Sequence, residues 1–305
     1  MKKYMGEIGL LTIALIWGSG FIGTKLALDG GMSTVQTLAL RFFIASVILG
    51  VIFYKKIKEN ISKESLKAGA LLGIFSFIGF STQTLALVYT SISKNAFITT
   101  TNVVIVPFIG FILYRRKLDK IGIFSSFMAL IGIGVLSLES DLSINFGDFL
   151  TFLCAIGFAF HIYFTGEFSK KYNSYVLTVT QFVVAFLLSI VMLIGTKQTN
   201  FQVDSLGYMG ALYLGIFSTA IGFLLQTMCQ SRVDQTKAAI ILSTESVFGT
   251  ILSVIIFHEI LTFRMIVGCI IIFASVIIAE TGLSFLWKNK IPNLEIEQGM
   301  KVKNE

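Results

Sequence analysis

Charge is the scarcest ingredient of this chain. Only 13% of its 305 residues are Asp, Glu, Lys or Arg, against about 25% in a soluble domain. Hydrophobic residues make up 55% and the mean hydropathy is +0.83, more apolar surface than a water-soluble globule can hide. Composition therefore excludes a soluble fold and implies a polytopic membrane protein. Cys154, Cys229 and Cys269 are far apart, odd in number and outside any C-x-x-C pair, so there is no disulfide framework. His161 and His258 are the only histidines, which excludes a His-rich metal centre. No G-x-x-x-x-G-K-[ST] loop occurs to cradle ATP. No cofactor and no metal are expected. Proline is equally rare, and only Pro107 lies in an apolar run. The net charge of +7 does not imply nucleic acid. The basic residues sit in short loops between apolar runs, where they anchor a membrane protein on its cytoplasmic side.

Long apolar runs are what the chain has in abundance. A helix needs about 20 residues to cross a hydrocarbon core of roughly 30 Å. Ten runs qualify: 8–28, 34–54, 67–88, 94–114, 121–138, 147–168, 175–195, 207–229, 236–257 and 263–287. Backbone polar groups in lipid must be satisfied within the segment, so these runs are helices. A membrane β-barrel would alternate polarity over strands of about ten residues, a pattern not seen. Residues 8–28 are too long and apolar for a signal-peptide core and read as a retained first span. The polar tail 288–305 is expected to be disordered. With the N-terminus inside, 19 of the 24 Lys and Arg fall on inner segments. Only Lys25, Lys94, Lys197 and Arg264 fall on outer ones, and Arg41 lies within a span. Both termini are thus expected in the cytoplasm and the chain in the inner (cell) membrane.

The chain also repeats itself. Leu72-Gly73-Ile74-Phe75-Ser76 returns as Leu214-Gly215-Ile216-Phe217-Ser218 at a spacing of 142. After a one-residue shift the echo continues at 143: Gly79-Phe80 with Gly222-Phe223, Gln83-Thr84 with Gln226-Thr227, Lys94 with Lys237, Ala96 with Ala239. Each copy holds five spans, an odd number, so the second enters the membrane from the opposite side. The expected architecture is an all-α membrane protein of ten transmembrane helices in two inverted five-helix repeats, residues 1–138 and 149–287. The Lys-free linker 139–148, with Glu139, Asp141 and Asp148, joins them outside. Inverted repeats with a site at their interface are a common build of secondary transporters.

Several stretches resemble a known family. Trp17-Gly18-Ser19-Gly20-Phe21 resembles the W-G-(S)-x-F start of the drug/metabolite transporter superfamily, EamA type. Leu40-Arg41-Phe42-Phe43-Ile44-Ala45 resembles its second-span R-F-x-x-A. Glu245-Ser246-Val247-Phe248, followed by His258-Glu259-Ile260-Leu261-Thr262, resembles its ninth-span E-P-V-x…G-E-x-L-T ending. Two departures stand out. Ser246 replaces the usual Pro, removing the residue that would kink span 9, and His258 replaces the usual Gly. The resemblance implies a transporter for amino acids, metabolites or drugs, with export favoured over uptake.

Polar groups inside the spans carry the functional expectation, because charge at membrane depth is costly. Glu245 lies about 14 Å from the inner edge of span 9, and its counterpart at the 143 spacing is Asn102 in span 4, after Thr99-Thr100-Thr101. The pair either faces a central cavity or packs between helices. Arg41 lies roughly 10 Å from the outer edge of span 2. It cannot lose its charge, so it captures a substrate carboxylate, pairs with a structural acid or snorkels outward. His161, Gln83 and Gln226 are either pathway contacts or interhelical hydrogen-bonding residues. Trp17 is the aromatic most expected on the pathway, and Thr99 joins the same set. Pro107 removes one backbone hydrogen bond and is expected to kink span 4. Glu280, near the inner end of span 10, is expected to snorkel or pair. Small-residue stripes in span 5 (Gly122, Ser126, Ala129, Gly132) and span 10 (Gly268, Ser275, Ala279, Gly282) mark scaffold helices.

The expectation is a secondary-active exporter of small organic metabolites, such as amino acids, working by alternating access. An uptake permease is the alternative. An intramembrane lipid-modifying enzyme is disfavoured because its two histidines would lie on opposite sides. The expected partners are a small-molecule substrate and the bilayer, without nucleic acid, and a monomer suffices.

Overall fold

The computed structural model describes residues 4–86, 88–90, 92–137, 145–258 and 260–282, without the side chains of Phe21, Ile92, Ser93, Lys94, Ala96, Ser137, Ser253 and Phe257. Most of the expected linker, with Glu139, Asp141 and Ser143, lies outside the described residues, as do Glu259 and the tail from 283 on. The described chain is helical throughout. Span 1 is Met5–Asp29, span 2 Thr34–Ile52, span 3 Lys63–Ala86, span 5 Lys120–Ser137, span 6 Phe146–Phe168, span 7 Ser174–Gly195 and span 10 Phe263–Thr281. Span 4 is made of Ile92–Thr100 and Asn102–Tyr114, span 9 of Gln235–Leu242 and Glu245–Phe257, and span 8 of Ser205–Tyr213, Leu214–Ile221 and Gly222–Gln230. Among the described residues nine stretches are long and apolar enough to cross a membrane, and Lys120–Leu136 is a shorter apolar helix. Most span ends shift by a few residues from the expected ones, and two differences go further. The loop after span 2 carries a further short helix, Tyr54–Asn60. Asp148, assigned to the linker, sits in the first turn of span 6, where it completes a capping box with Asn145.

The interruptions of spans 4 and 9 fall on repeat mates. Span 4 breaks at Thr101 and span 9 at Ser243-Thr244, and Thr101 and Thr244 are 143 residues apart. The local chemistry is the same at both. Thr101 Oγ1 donates to the Ile98 carbonyl at 2.7 Å, and Thr244 Oγ1 to the Ile241 carbonyl at 2.6 Å. The same back-bond occurs inside unbroken spans at Ser46 and Ser275, so the hydroxyl by itself does not make the break. Span 9 is interrupted without a proline, Ser246 standing where the family often has one. In span 4 the helix runs through Pro107, and the interruption lies about one and a half turns earlier. Both second halves end on a left-handed residue at the same 143 spacing, Arg115 (φ 51°) and His258 (φ 54°).

Span 8 departs from its mate. Span 3 is α-helical from end to end, whereas Leu214–Ile221 is a π-helix. The repeat spacing changes from 142 to 143 between Ser218 and Gly222, inside this segment. One residue more than span 3 has is taken up as a local widening of the helix, the form a single-residue insertion takes in an intact span.

Packing runs between the repeats. Span 1 lies along spans 8 and 9, while its counterpart span 6 lies along spans 3 and 4. Span 2 packs on span 7, and span 5 on span 10. The two halves interleave as one body, and the chain has no independent five-helix unit. Spans 5 and 10 meet at Gly132 and Gly268, where a Cβ on Gly268 would stand 2.8 Å from the Gly132 carbonyl oxygen and 2.7 Å from the Leu136 Cβ. Backbone cannot retreat from such contacts, so Gly268→Leu is expected to lower the yield of folded protein, with a destabilisation of at least about 1–3 kcal/mol. Size-exclusion yield and melting temperature in detergent check this; a well-folded variant with altered substrate preference would assign span 10 to the pathway. Gly122 is less informative, because a Cβ there meets the Asp119 and Thr236 side-chain ends at 3.0–3.1 Å.

Candidate functional site

A cavity of about 190 Å³ lies between the halves. Trp17, Arg41, Gln83, Thr99, Asn102, His161, Gln226 and Glu245 all line it, drawn from spans 1 to 4, 6, 8 and 9. Pro107 does not line it, nor does any residue of spans 5, 7 or 10. The two helix breaks explain the placement. Asn102 and Glu245 each open the second half of a broken span, which sets a polar side chain at a helix N-terminus in the middle of the bundle. The positive end of the helix dipole supports the Glu245 carboxylate there.

Arg41 is buried, 9% exposed, and has no acidic partner among the described residues. Its Nε donates to Thr219 Oγ1 at 2.9 Å and its Nη2 to Ser218 Oγ at 3.4 Å. The guanidinium stacks 4.5 Å from the Phe80 ring centroid. Neither snorkelling nor a structural ion pair describes it. Glu245 is half-buried, and its carboxylate has no hydrogen bond or ion pair with a described residue. The cavity thus holds one fixed cation and one carboxylate, neither matched by another charge among the described residues.

The uncharged groups differ in how far they are satisfied. His161 Nε2 shares a hydrogen bond with Gln181 Oε1 at 2.9 Å, bringing span 7 in behind the wall. Gln83 Nε2 donates to Thr99 Oγ1 at 3.3 Å. Its repeat mate Gln226 is fully buried, and neither amide atom has a hydrogen-bond partner. An unpaired buried amide costs about 1–3 kcal/mol, so Gln226 is available to a polar ligand. Trp17 Nε1 donates to the Ser218 carbonyl at 3.0 Å. Gly222 leaves room for that indole, since a Cβ there would stand 2.7 Å from Nε1. Phe80, Phe158 and Phe223 complete an aromatic wall.

A second polar cluster lies at the Lys/Arg-rich end of the bundle. Arg116, just past span 4, donates through both terminal nitrogens to Glu167 of span 6, at 2.9 and 2.8 Å. Gln235, the first residue of span 9, donates to the same carboxylate, and Lys170 stands 4.0 Å away. Hydrogen bonding to Glu167 pushes Arg116 above its ordinary guanidinium pKa, so it stays charged at any physiological pH. Glu280 faces Lys237 at 3.7 Å, the paired alternative of its two expected states.

Sequence reasoning missed Ser218, Thr219 and Glu167. The signal for the first two was the one-residue shift in the repeat, which falls beside them. Glu167 carried no comparable signal, because it lies at a span end where acids are common.

A helical membrane protein whose two inverted halves enclose a polar cavity at mid-span has the architecture of a transporter. The chain belongs to the EamA-like transporter family, in the drug/metabolite transporter superfamily, which matches it twice, over residues 4–138 and 145–281. A relative from Archaeoglobus fulgidus, named an uncharacterized transporter, is 34% identical over 280 residues, covering 92% of this chain and 87% of its own. The uncharacterized transporter YetK of Bacillus subtilis is 25% identical over 294 residues, covering 91% and 88%. One solved crystal structure superimposes with a TM-score of 0.79 over 91% of this chain and 99% of the other. At 16% identity it speaks for the fold alone.

Proposed function

We propose that the protein is a secondary-active exporter of a small zwitterionic metabolite, an amino acid or a related compound, working by alternating access. One observation carries this reading: a cavity between the halves is lined by a cation, Arg41, and a carboxylate, Glu245, neither of which has an ion-pair partner among the described residues. A zwitterion offers a carboxylate to the first and an ammonium to the second, and a charge withdrawn from water at membrane depth needs such a partner. The volume of about 190 Å³ is below the roughly 300–1,000 Å³ of drug-sized sites, which favours a small metabolite over a bulky drug. Gln226 adds an unpaired amide for a polar substituent. Spans 4 and 9, broken at cavity depth, are the elements that would bend as access alternates.

Counterflow in proteoliposomes tests the reading. Free amino acids should exchange at least about tenfold faster than their α-amides or N-acetyl derivatives, as expected when a charge-assisted hydrogen bond is lost. Equal exchange of all three, or exchange of lipophilic cations only, would refute a zwitterion site. A pH gradient applied to the same vesicles separates proton coupling from exchange and gives the direction. The charge bias favours cytoplasmic termini. In whole cells a cysteine at Ser62 should then resist a membrane-impermeant thiol reagent, and rapid labelling would reverse the orientation.

A further inference from the structure

The extra residue of span 8 has a consequence that its mate in span 3 lacks. Within the π-helical segment Leu214–Ile221 two adjacent hydroxyls meet one guanidinium: Thr219 Oγ1 lies 2.9 Å from Arg41 Nε and Ser218 Oγ lies 3.4 Å from Nη2. The Ser218 carbonyl also accepts from Trp17 Nε1 at 3.0 Å. Thr219 is fully buried and Ser218 is 4% exposed. With Phe80 stacked 4.5 Å away, the Arg41 plane is held from its face and along one edge. Arg41 lines the cavity, without an acidic partner among the described residues.

We propose that the π-helical segment of span 8 is the specificity element of the cavity, with Thr219 and Ser218 as positioning residues that hold Arg41 as a subsite for the substrate's carboxylate. Hydroxyl oxygens suit this role because they accept from the guanidinium without neutralising it. A carboxylate in their place would form an ion pair and close the subsite. The insertion thus makes the site asymmetric: the first repeat supplies the cation and the second supplies its mount. This rests on the substrate reading above, and the test is arranged so that the two fail separately.

Trp287→Phe leaves Trp17 as the single tryptophan, bonded to the segment in question. In this parent protein, Trp17 emission is followed during titration with L-alanine, acetate and L-alaninamide. Alanine and acetate should shift the emission and alaninamide should not. Thr219→Val keeps the side-chain shape and removes the acceptor for Arg41 Nε. It should weaken alanine and acetate binding about tenfold and shrink their advantage over the amide, raising KM for alanine exchange with kcat little changed. Thr219→Ser restores the acceptor and should recover most of the loss. If folded Thr219→Val keeps the parent's affinity and carboxylate preference, the positioning role is wrong while the substrate reading survives. If Thr219→Ser is as impaired as Thr219→Val, the hydroxyl is not what matters and the proposal falls. A parent protein that binds acetate no better than the amide overturns the substrate reading itself, and the proposal with it.

Discussion

Glu245→Gln is expected to slow transport of an ammonium-bearing substrate by roughly a hundredfold, on the scale of a lost charge-assisted hydrogen bond, and to flatten the pH dependence of transport. The substitution keeps size and hydrogen-bonding capacity and removes charge and titration together. Folding should survive it. The carboxylate makes no hydrogen bond or ion pair with a described residue, so no protein partner is orphaned. Its own desolvation cost disappears with the charge, leaving only the loss of a favourable helix-dipole contact worth about 0.3–1 kcal/mol. The measurement is initial counterflow rate against pH for wild type and variant, each purified and monodisperse. Wild-type rates with an unchanged pH profile would reduce Glu245 to a packing residue. Asn102, its mate in the first repeat, is already an amide. Only one of the two equivalent positions carries a charge, which would let a symmetric scaffold bind an asymmetric molecule.

Arg116→Ala should open the Lys/Arg-rich end of the cavity, raising reagent access about five- to tenfold. Arg116, Glu167 and Gln235 join the ends of spans 4, 6 and 9, and a tie between these ends would restrict access to the cavity from this side. Arg116 is 46% exposed, so solvent screens the pair and the tie is worth only about 1–1.4 kcal/mol, which corresponds to that change in population. A cysteine at Ala239, which lines the cavity, in a protein whose three native cysteines are replaced, reports access through its rate of modification by an impermeant thiol reagent. An unchanged rate would show that the cluster does not hold this end closed.

Much of the cavity was legible before any coordinates. Glu245 and Arg41 announce themselves because charge in an apolar run demands a reason, and the 143 spacing ties Glu245 to Asn102 and Gln83 to Gln226. These residues come together because the repeat is inverted, a property counted from spans rather than seen. The helix interruptions were not legible. They fall at Thr101 and at Ser243-Thr244, whereas Pro107 lies inside an unbroken stretch of helix. Threonine in a span is too common to signal a break by itself.

By itself the sequence determined that this is a helical membrane protein of ten spans in two inverted halves, because apolar run length and repeat spacing are one-dimensional quantities. It also determined which residues were too polar to sit in lipid without purpose. Only the tertiary structure decided what those residues touch. The direction of a side chain depends on helix phase, and one extra residue in span 8 resets that phase. Arg41 meets two hydroxyls rather than an acid, Gln226 has no hydrogen-bond partner among the described residues, and Glu167 rather than a membrane-embedded acid takes up Arg116.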